Sequence, residues 1–227
     1  MTAKIIDKLL SLRTRESKVK SFFISFYVIG LAGMVLPFSF PIFLKLIPLA
    51  LLLSFFAIFL FHEQKIDLKT IVVFAIIFLA GFFVEVIGVN TGAIFGEYWY
   101  GKGLGIKLFN TPLMMGVNWV LMIYLSSSLV SQLNIKPILS VFFASASMII
   151  YDLVTEQVAP VFDMWSWTGN SVPIQNYIAW FLIAVVFHSL VKLFNINTRN
   201  FLAPLIYICQ FLFFLILLLF FKFIKEC

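Results

Sequence analysis

Long apolar runs, separated by short segments that hold most of the charges, dominate this chain. A helix needs about 20 apolar residues to cross the ~30 Å hydrocarbon core of a bilayer, and several runs reach that length. We predict seven transmembrane helices, at about residues 21–40, 42–61, 70–89, 111–130, 137–157, 174–193 and 203–223. The predicted fold class is therefore all-α: a polytopic membrane helix bundle that forms a single transmembrane domain over residues 21–227.

The N-terminal segment, residues 1–20, has a different pattern. It carries six Lys or Arg residues and a small apolar group that is too short for a signal peptide. We predict a basic amphipathic helix that lies on the cytoplasmic surface of the membrane. If the N-terminus is inside, the inner segments hold 11 of the 16 Lys and Arg residues. The positive-inside rule then places the C-terminus outside. We expect the protein in the cell membrane of a bacterium or archaeon.

Composition supports this class. Of the 227 residues, 63% are hydrophobic and 11% are charged, whereas soluble domains carry roughly 25% charged residues, so a water-soluble globule is excluded. The net charge of +6 in such a chain reflects topology and contact with anionic lipid, so no nucleic-acid partner is predicted. Two cysteines, Cys209 and Cys227, do not make a disulfide framework.

The carboxylates are unevenly distributed among the predicted spans. Counting seven spans places five of the ten toward the same membrane side: Glu85, Glu97, Asp152, Glu156 and Asp163. Polar and aromatic side chains fall at a similar depth, and eight of them are candidate substrate-binding residues: Tyr98, Tyr100, Asn118, Trp119, Trp165, Trp167, Asn176 and Trp180. Part of this aromatic set is also explained by the Trp and Tyr belt that any membrane protein has at its interfaces.

Three of these carboxylates are candidate catalytic groups: Glu85, Asp152 and Glu156. A charged side chain at mid-membrane costs about 2.5–3.5 kcal/mol, so it needs a partner or a function. Asp152 and Glu156 are four residues apart and share a helix face, and two like charges there favour a proton on one of them. A general acid must hold a proton in this way. The alternative is that both carboxylates hydrogen-bond to neighbouring helices near the interface.

Several kinds of chemistry are excluded by missing motifs. His62 and His188 are too few and too far apart in sequence for a membrane di-iron site, and we interpret both as packing or interface residues. There is no strand–GxGxxG–helix unit, no pair of Asp-rich motifs for magnesium and diphosphate, and no Gly-x-Ser-x-Gly elbow. The glycine-rich run at residues 101–105 is predicted to be a turn. The remaining options are acid–base chemistry with no cofactor and no metal, or a binding or transport role.

Two segments carry motifs of a known family. The first, residues 85–100, contains Glu-x-x-Gly, Thr-Gly and Phe-Gly-x-Tyr-x-Tyr, followed by Leu-Gly at 104–105 and Pro-Leu at 112–113. The second, residues 152–180, contains Asp152, Pro160, Trp165-x-Trp167, Gly169, Val172-Pro173, Asn176 and Trp180. Together they resemble the membrane carotenoid biosynthesis family that includes the carotenoid 1,2-hydratases, among them bisanhydrobacterioruberin hydratase. Glu156-Gln157 departs from that pattern, which has Asp-Pro at this point.

The resemblance implies an enzyme that adds water to the C1=C2 double bond of an acyclic carotenoid end group and so makes a 1-hydroxy carotenoid. The implied substrate is lycopene, γ-carotene or a similar carotenoid in the bilayer, with other carotenoid enzymes as candidate partners. Two alternatives stay open. A lycopene-type cyclase begins with the same protonation, and a proton-coupled transporter or lipid-binding protein would use Glu85, Asp152 and Glu156 as a proton path.

Overall fold

A computed structural model describes residues 15–223 of the chain, and seven long helices account for most of them. The helices are α1 (Glu16–Val35), α2 (Phe40–Leu60), α3 (Leu68–Thr91), α4 (Met114–Ser131), α5 (Pro137–Val158), α6 (Ile174–Leu193) and α7 (Ala203–Phe223). All seven are long and apolar enough to cross a membrane. The prediction of an all-α membrane bundle is therefore confirmed, and the protein is an integral membrane protein.

The first predicted span was wrong at both ends. Helix α1 ends at Val35 instead of residue 40, because Leu36 adopts an extended conformation (φ −79°, ψ 122°) in front of Pro37. A proline disfavours helical geometry in the residue before it. At the other end, residues 16–20 were assigned to the surface segment but form the first turns of α1, where Lys20 pairs with Glu16 at 3.6 Å. Residues 1–14 of the predicted surface helix lie outside the described residues.

Helix α4 lies at the centre of the bundle. It packs against α2, α3, α5, α6 and α7, and most of its side chains are buried, including Trp119 and Tyr124. Helix α1 lies at the periphery, where it contacts α2 and α7. A transmembrane helix that is buried on all sides is surrounded by protein instead of lipid, so α4 can carry polar side chains that face a protected interior.

Four short strands cover one end of the bundle, a feature that the sequence interpretation did not include. They are β1 (Tyr98–Tyr100), β2 (Lys107–Leu108), β3 (Thr111–Pro112) and β4 (Trp165–Trp167). Strand β1, which follows α3, pairs antiparallel with β4, which follows α5, and β2 pairs with β3. We call the membrane face that carries these strands the strand side, and the other face the opposite side.

Seven spans place the two chain termini on opposite sides of the membrane, and the Lys and Arg bias predicts that the N-terminus is cytoplasmic. We expect a fluorescent reporter fused to the N-terminus to report a cytoplasmic location and a phosphatase fused to the C-terminus to be active outside. Reporters that locate both termini on one side would show that one of the seven helices does not cross the membrane.

Candidate functional site

Three buried carboxylates lie near the strand side of the bundle. Glu85 on α3 is 2% exposed, and Asp152 and Glu156 on α5 are 4% and 3% exposed. Glu85 and Asp152 each lie six residues before the end of their helices, which corresponds to a depth of about 9 Å at 1.5 Å per residue. No Lys or Arg side chain pairs with any of the three among residues 15–223, so neutral donors must satisfy them.

Glu85 accepts three hydrogen bonds from two elements, strand β1 and helix α4. Its Oε2 accepts from the hydroxyl groups of Tyr98 (2.8 Å) and Tyr100 (2.6 Å), and its Oε1 accepts from the indole nitrogen of Trp119 (3.0 Å). Each of these bonds favours the ionised carboxylate, because a carboxylate accepts on both oxygens. Glu85 therefore connects α3 and α4 to strand β1.

The pairing of β1 with β4 explains why the aromatic side chains point at the carboxylates. Alternate residues of a strand face the same way, and Tyr98 is opposite Trp167 while Tyr100 is opposite Trp165. These four side chains face the bundle, whereas Trp99 is exposed. Burial, and secondly the charge of Glu85, raise the pKa of Tyr98 and Tyr100 above the ordinary value, so both phenols stay protonated and act as donors.

Glu156 has a similar set of three donors. Its Oε2 accepts from the indole nitrogens of Trp165 (2.8 Å) and Trp167 (2.7 Å), and its Oε1 accepts from the side-chain amide of Asn176 (3.1 Å). Indole nitrogens can only donate, so this geometry fits an ionised Glu156. The first turn of α6 supplies Asn176, and β4 supplies both tryptophans, which ties α5 and α6 to the strands.

Asp152 differs from the other two carboxylates. Its one hydrogen bond in the described part of the chain is from the amide of Asn176 to Oδ2, at 3.2 Å. The same nitrogen of Asn176 also donates to Glu156, so one amide bridges two carboxylates. Oδ1 of Asp152 is therefore available to carry a proton.

Asp152 also lines a cavity of about 50 Å³, which is large enough for a water molecule. Asn118, Trp165 and Trp180 line the same cavity, together with Met115 and Thr155. A smaller space of about 20 Å³ lies between Glu85 and Glu156. The carboxylate with the fewest donors is thus the one that faces the larger space.

Trp119 and Trp180 form a stacked pair, with ring centroids 4.2 Å apart and an interplanar angle of 19°. Gly81 on α3 lies directly against Trp119, and a Cβ atom built on Gly81 would come within 2.6 Å of the ring. The absence of a side chain at Gly81 lets the indole reach Glu85. The stack connects the environment of Glu85 to the cavity of Asp152, because Trp180 lines both spaces.

All eleven predicted site residues come together in this region. Two further carboxylates, which the span count places on the same membrane side, do not join them. Glu97 and Asp163 are exposed, and Asp163 accepts a hydrogen bond from the backbone of Lys102 (2.9 Å). Asp163 thereby holds the glycine-rich loop at residues 101–105, which forms a turn against residues 162–164. Counting spans gives the membrane side of a carboxylate but not whether its side chain points inward.

The two histidines lie apart from the carboxylate cluster. His62 hydrogen-bonds to Tyr124 (2.6 Å), and His188 bonds to Ser126 (2.9 Å) and to the Ala184 carbonyl (2.7 Å). Both are buried within helix packing, in agreement with their interpretation as packing residues. Among residues 15–223, no group of three His, Cys, Asp or Glu side chains is arranged to hold a metal ion.

The sequence interpretation missed the apolar part of the Asp152 cavity. Its walls include Leu104, Met115 and Met164, and two residues of α2, Ile47 and Leu51. In the sequence, Ile47 and Leu51 look like any other apolar positions of a membrane helix. The packing of α2 against α4 brings these two residues to the cavity.

A family model described as "Carotenoid biosynthesis protein" matches residues 46–226. The chain belongs to this family. The matched region includes α3 to α7, all four strands and every residue of the carboxylate cluster, while α1 lies outside it. No curated protein and no solved structure shows significant similarity to the chain. Membership in this family identifies a carotenoid biosynthesis protein but does not specify its reaction.

Proposed function

We propose that this carotenoid biosynthesis protein is a hydratase that adds water to the C1=C2 double bond of an acyclic carotenoid end group, with no cofactor. The observation that carries the proposal is the contrast among the three carboxylates. Glu85 and Glu156 each accept three hydrogen bonds, whereas Asp152 accepts one and faces a cavity with room for water. This arrangement suits one proton donor next to two fixed anions.

In the proposed reaction, protonated Asp152 transfers its proton to C2, and the π electrons of the double bond form the new C–H bond. A tertiary cation remains at C1. Water attacks C1 through its oxygen, and the resulting oxonium ion returns a proton to the Asp152 carboxylate. The product is a tertiary alcohol and the enzyme is restored, so the step balances without oxidant or reductant. General acid catalysis of this kind contributes typically 10²–10⁴-fold.

The surrounding side chains have complementary roles in the proposal. Trp165 and Trp180 line the Asp152 cavity, where an aromatic ring would stabilise a cation by about 2 kcal/mol when the pair is desolvated. Asn118 lines the same cavity and would orient the attacking water. In this proposal Glu85 and Glu156 are the carboxylates that stay ionised, because each accepts three hydrogen bonds. Their negative charge would lie close to the developing cation, and because their donors are already in place they would need no reorganisation.

Expression in cells that accumulate lycopene or γ-carotene, followed by mass spectrometry of the pigments, tests the proposal. We expect a product that has gained one water, and no such product from cells that carry the vector alone. A product of unchanged mass and altered retention would identify a cyclase, in which a neighbouring double bond reaches the cation instead of water. Unchanged pigment in cells that contain the folded protein would contradict both reactions.

A further inference from the structure

A trough of about 550 Å³ lies between α1, α2 and α7. Its lining is almost entirely apolar and includes Phe26, Gly30 and Met34 of α1. Exposed side chains at its rim, such as Ile29 and Leu49, lie at the lipid-facing surface of the bundle. The trough is therefore open to the hydrocarbon core of the bilayer.

This trough lies next to the Asp152 cavity. Ile47 and Leu51 of α2 and Phe214 of α7 line both spaces. These three side chains therefore form the boundary between the two spaces, and an apolar chain in the trough lies one layer of side chains away from the Asp152 cavity. No other wall residue is shared, so the lipid-facing trough and the Asp152 cavity adjoin at this boundary.

The trough also has a direction and a length. Its lining on α1 runs from Met34 to Phe22, 12 residues or about 18 Å, past the level of Asp152 and toward the opposite side of the membrane. A hydrogen bond between Tyr27 and Ser54 (3.0 Å) joins α1 to α2 along this stretch. Ring contact between Tyr27 and Phe213 joins α1 to α7. The three helices are thus held at a fixed spacing around the open space.

We propose that the trough binds the polyene chain of the substrate and admits it sideways from the bilayer, with the end of the chain passing Ile47, Leu51 and Phe214 to reach Asp152. This inference rests on the proposed hydratase function for the identity of the chain. An extended, rigid, apolar molecule is the occupant that fits an apolar trough that runs along the helices and adjoins the cavity of an acid near one membrane side. Helix α1, which lies outside the matched region, contributes a wall of the trough but none of the carboxylate cluster.

Enlarging Gly30 tests the trough without touching the acid. A Cβ atom on Gly30 makes an ordinary 3.5 Å contact with Phe213, so alanine fits, whereas the rest of a leucine side chain must occupy the trough. Both replacements also favour the helix. We expect Gly30→Leu to lower the affinity of a purified, nanodisc-embedded protein for lycopene about tenfold, the scale at which overpacking disturbs an apolar site, with Gly30→Ala in between. Binding is measured from the absorption spectrum of the polyene.

The matched control is Val186→Phe, which adds bulk on a lipid-facing side of α6, away from the trough, and should leave lycopene affinity unchanged. In a parallel assay of water addition, Gly30→Leu should lower the rate for a full-length carotenoid relative to a short isoprenoid with the same end group. Equal lycopene affinity in wild type and Gly30→Leu would overturn the trough assignment, whatever reaction the protein performs. Weakened binding in Gly30→Leu, with no water addition by the wild type, would support the trough and contradict the hydratase instead.

Discussion

Replacing Asp152 with asparagine is expected to lower the rate of water addition by about 10²–10⁴-fold, the contribution of a general acid, while the protein remains folded in the membrane. Asparagine keeps the shape of the side chain, and its oxygen can still accept the hydrogen bond from Asn176. It has no proton to give at neutral pH. The measurement is single-turnover conversion of a carotenoid substrate by equal amounts of folded variant and wild type.

Asp67→Asn is the matched control for this substitution. Asp67 precedes α3 on the opposite side of the membrane and accepts a hydrogen bond from the backbone nitrogen of Thr70 (2.8 Å). Asparagine caps a helix about as well as aspartate, so this variant should keep full activity and stability. If Asp152→Asn retains near-normal turnover, Asp152 is not the acid, and Glu156 becomes the next candidate donor.

Glu85→Gln is expected to act in a different way, by weakening the structure that holds the site. The glutamine amide has only one oxygen that accepts a hydrogen bond. Either the two tyrosines or Trp119 therefore lose the oxygen to which they donate. A buried donor without a partner costs about 1–3 kcal/mol. We expect the free energy of unfolding in detergent to fall by about that amount, together with activity, whereas Asp152→Asn loses activity alone.

A double-mutant cycle identifies the cause of this loss. Trp119→Phe removes one donor, so the combined variant should be destabilised by less than the sum of the two single variants. The control is Glu63→Gln, at an exposed loop position, where a surface substitution usually changes stability by less than about 0.5 kcal/mol. Additive effects of Glu85→Gln and Trp119→Phe would contradict the assigned hydrogen bond between Glu85 and Trp119.

The helices could be predicted closely from sequence where polar residues bound an apolar run. The last two spans, residues 174–193 and 203–223, have the predicted limits. The first span was misplaced because the apolar run continues through Leu36 and Phe38. Pro37 and Pro41 prevent a single helix from extending through this run. Apolar content therefore predicted the number of spans, and backbone geometry decided where the first one ends.

The gathering of Glu85, Asp152 and Glu156 could also be predicted, because helix direction alternates and their depths are similar. The different hydrogen-bond partners of the three carboxylates could not be predicted from the sequence. The donors to Glu85 and Glu156 depend on the pairing of β1 with β4, two three-residue strands that are separated by more than 60 positions in the chain. Segments as short as Tyr-Trp-Tyr and Trp-Ser-Trp carry too little periodicity to distinguish a strand from an interfacial aromatic belt.

The origin of the added oxygen tests the proposed chemistry most directly. With a carotenoid substrate in H₂¹⁸O, and with oxygen and reductant removed, we predict that the reaction proceeds and that the product hydroxyl carries ¹⁸O. In D₂O, one deuterium should appear at C2, because protonation there comes first. Heavy oxygen that arrives from ¹⁸O₂ in ordinary water, or activity that disappears when oxygen is removed, would contradict hydration through a carbocation.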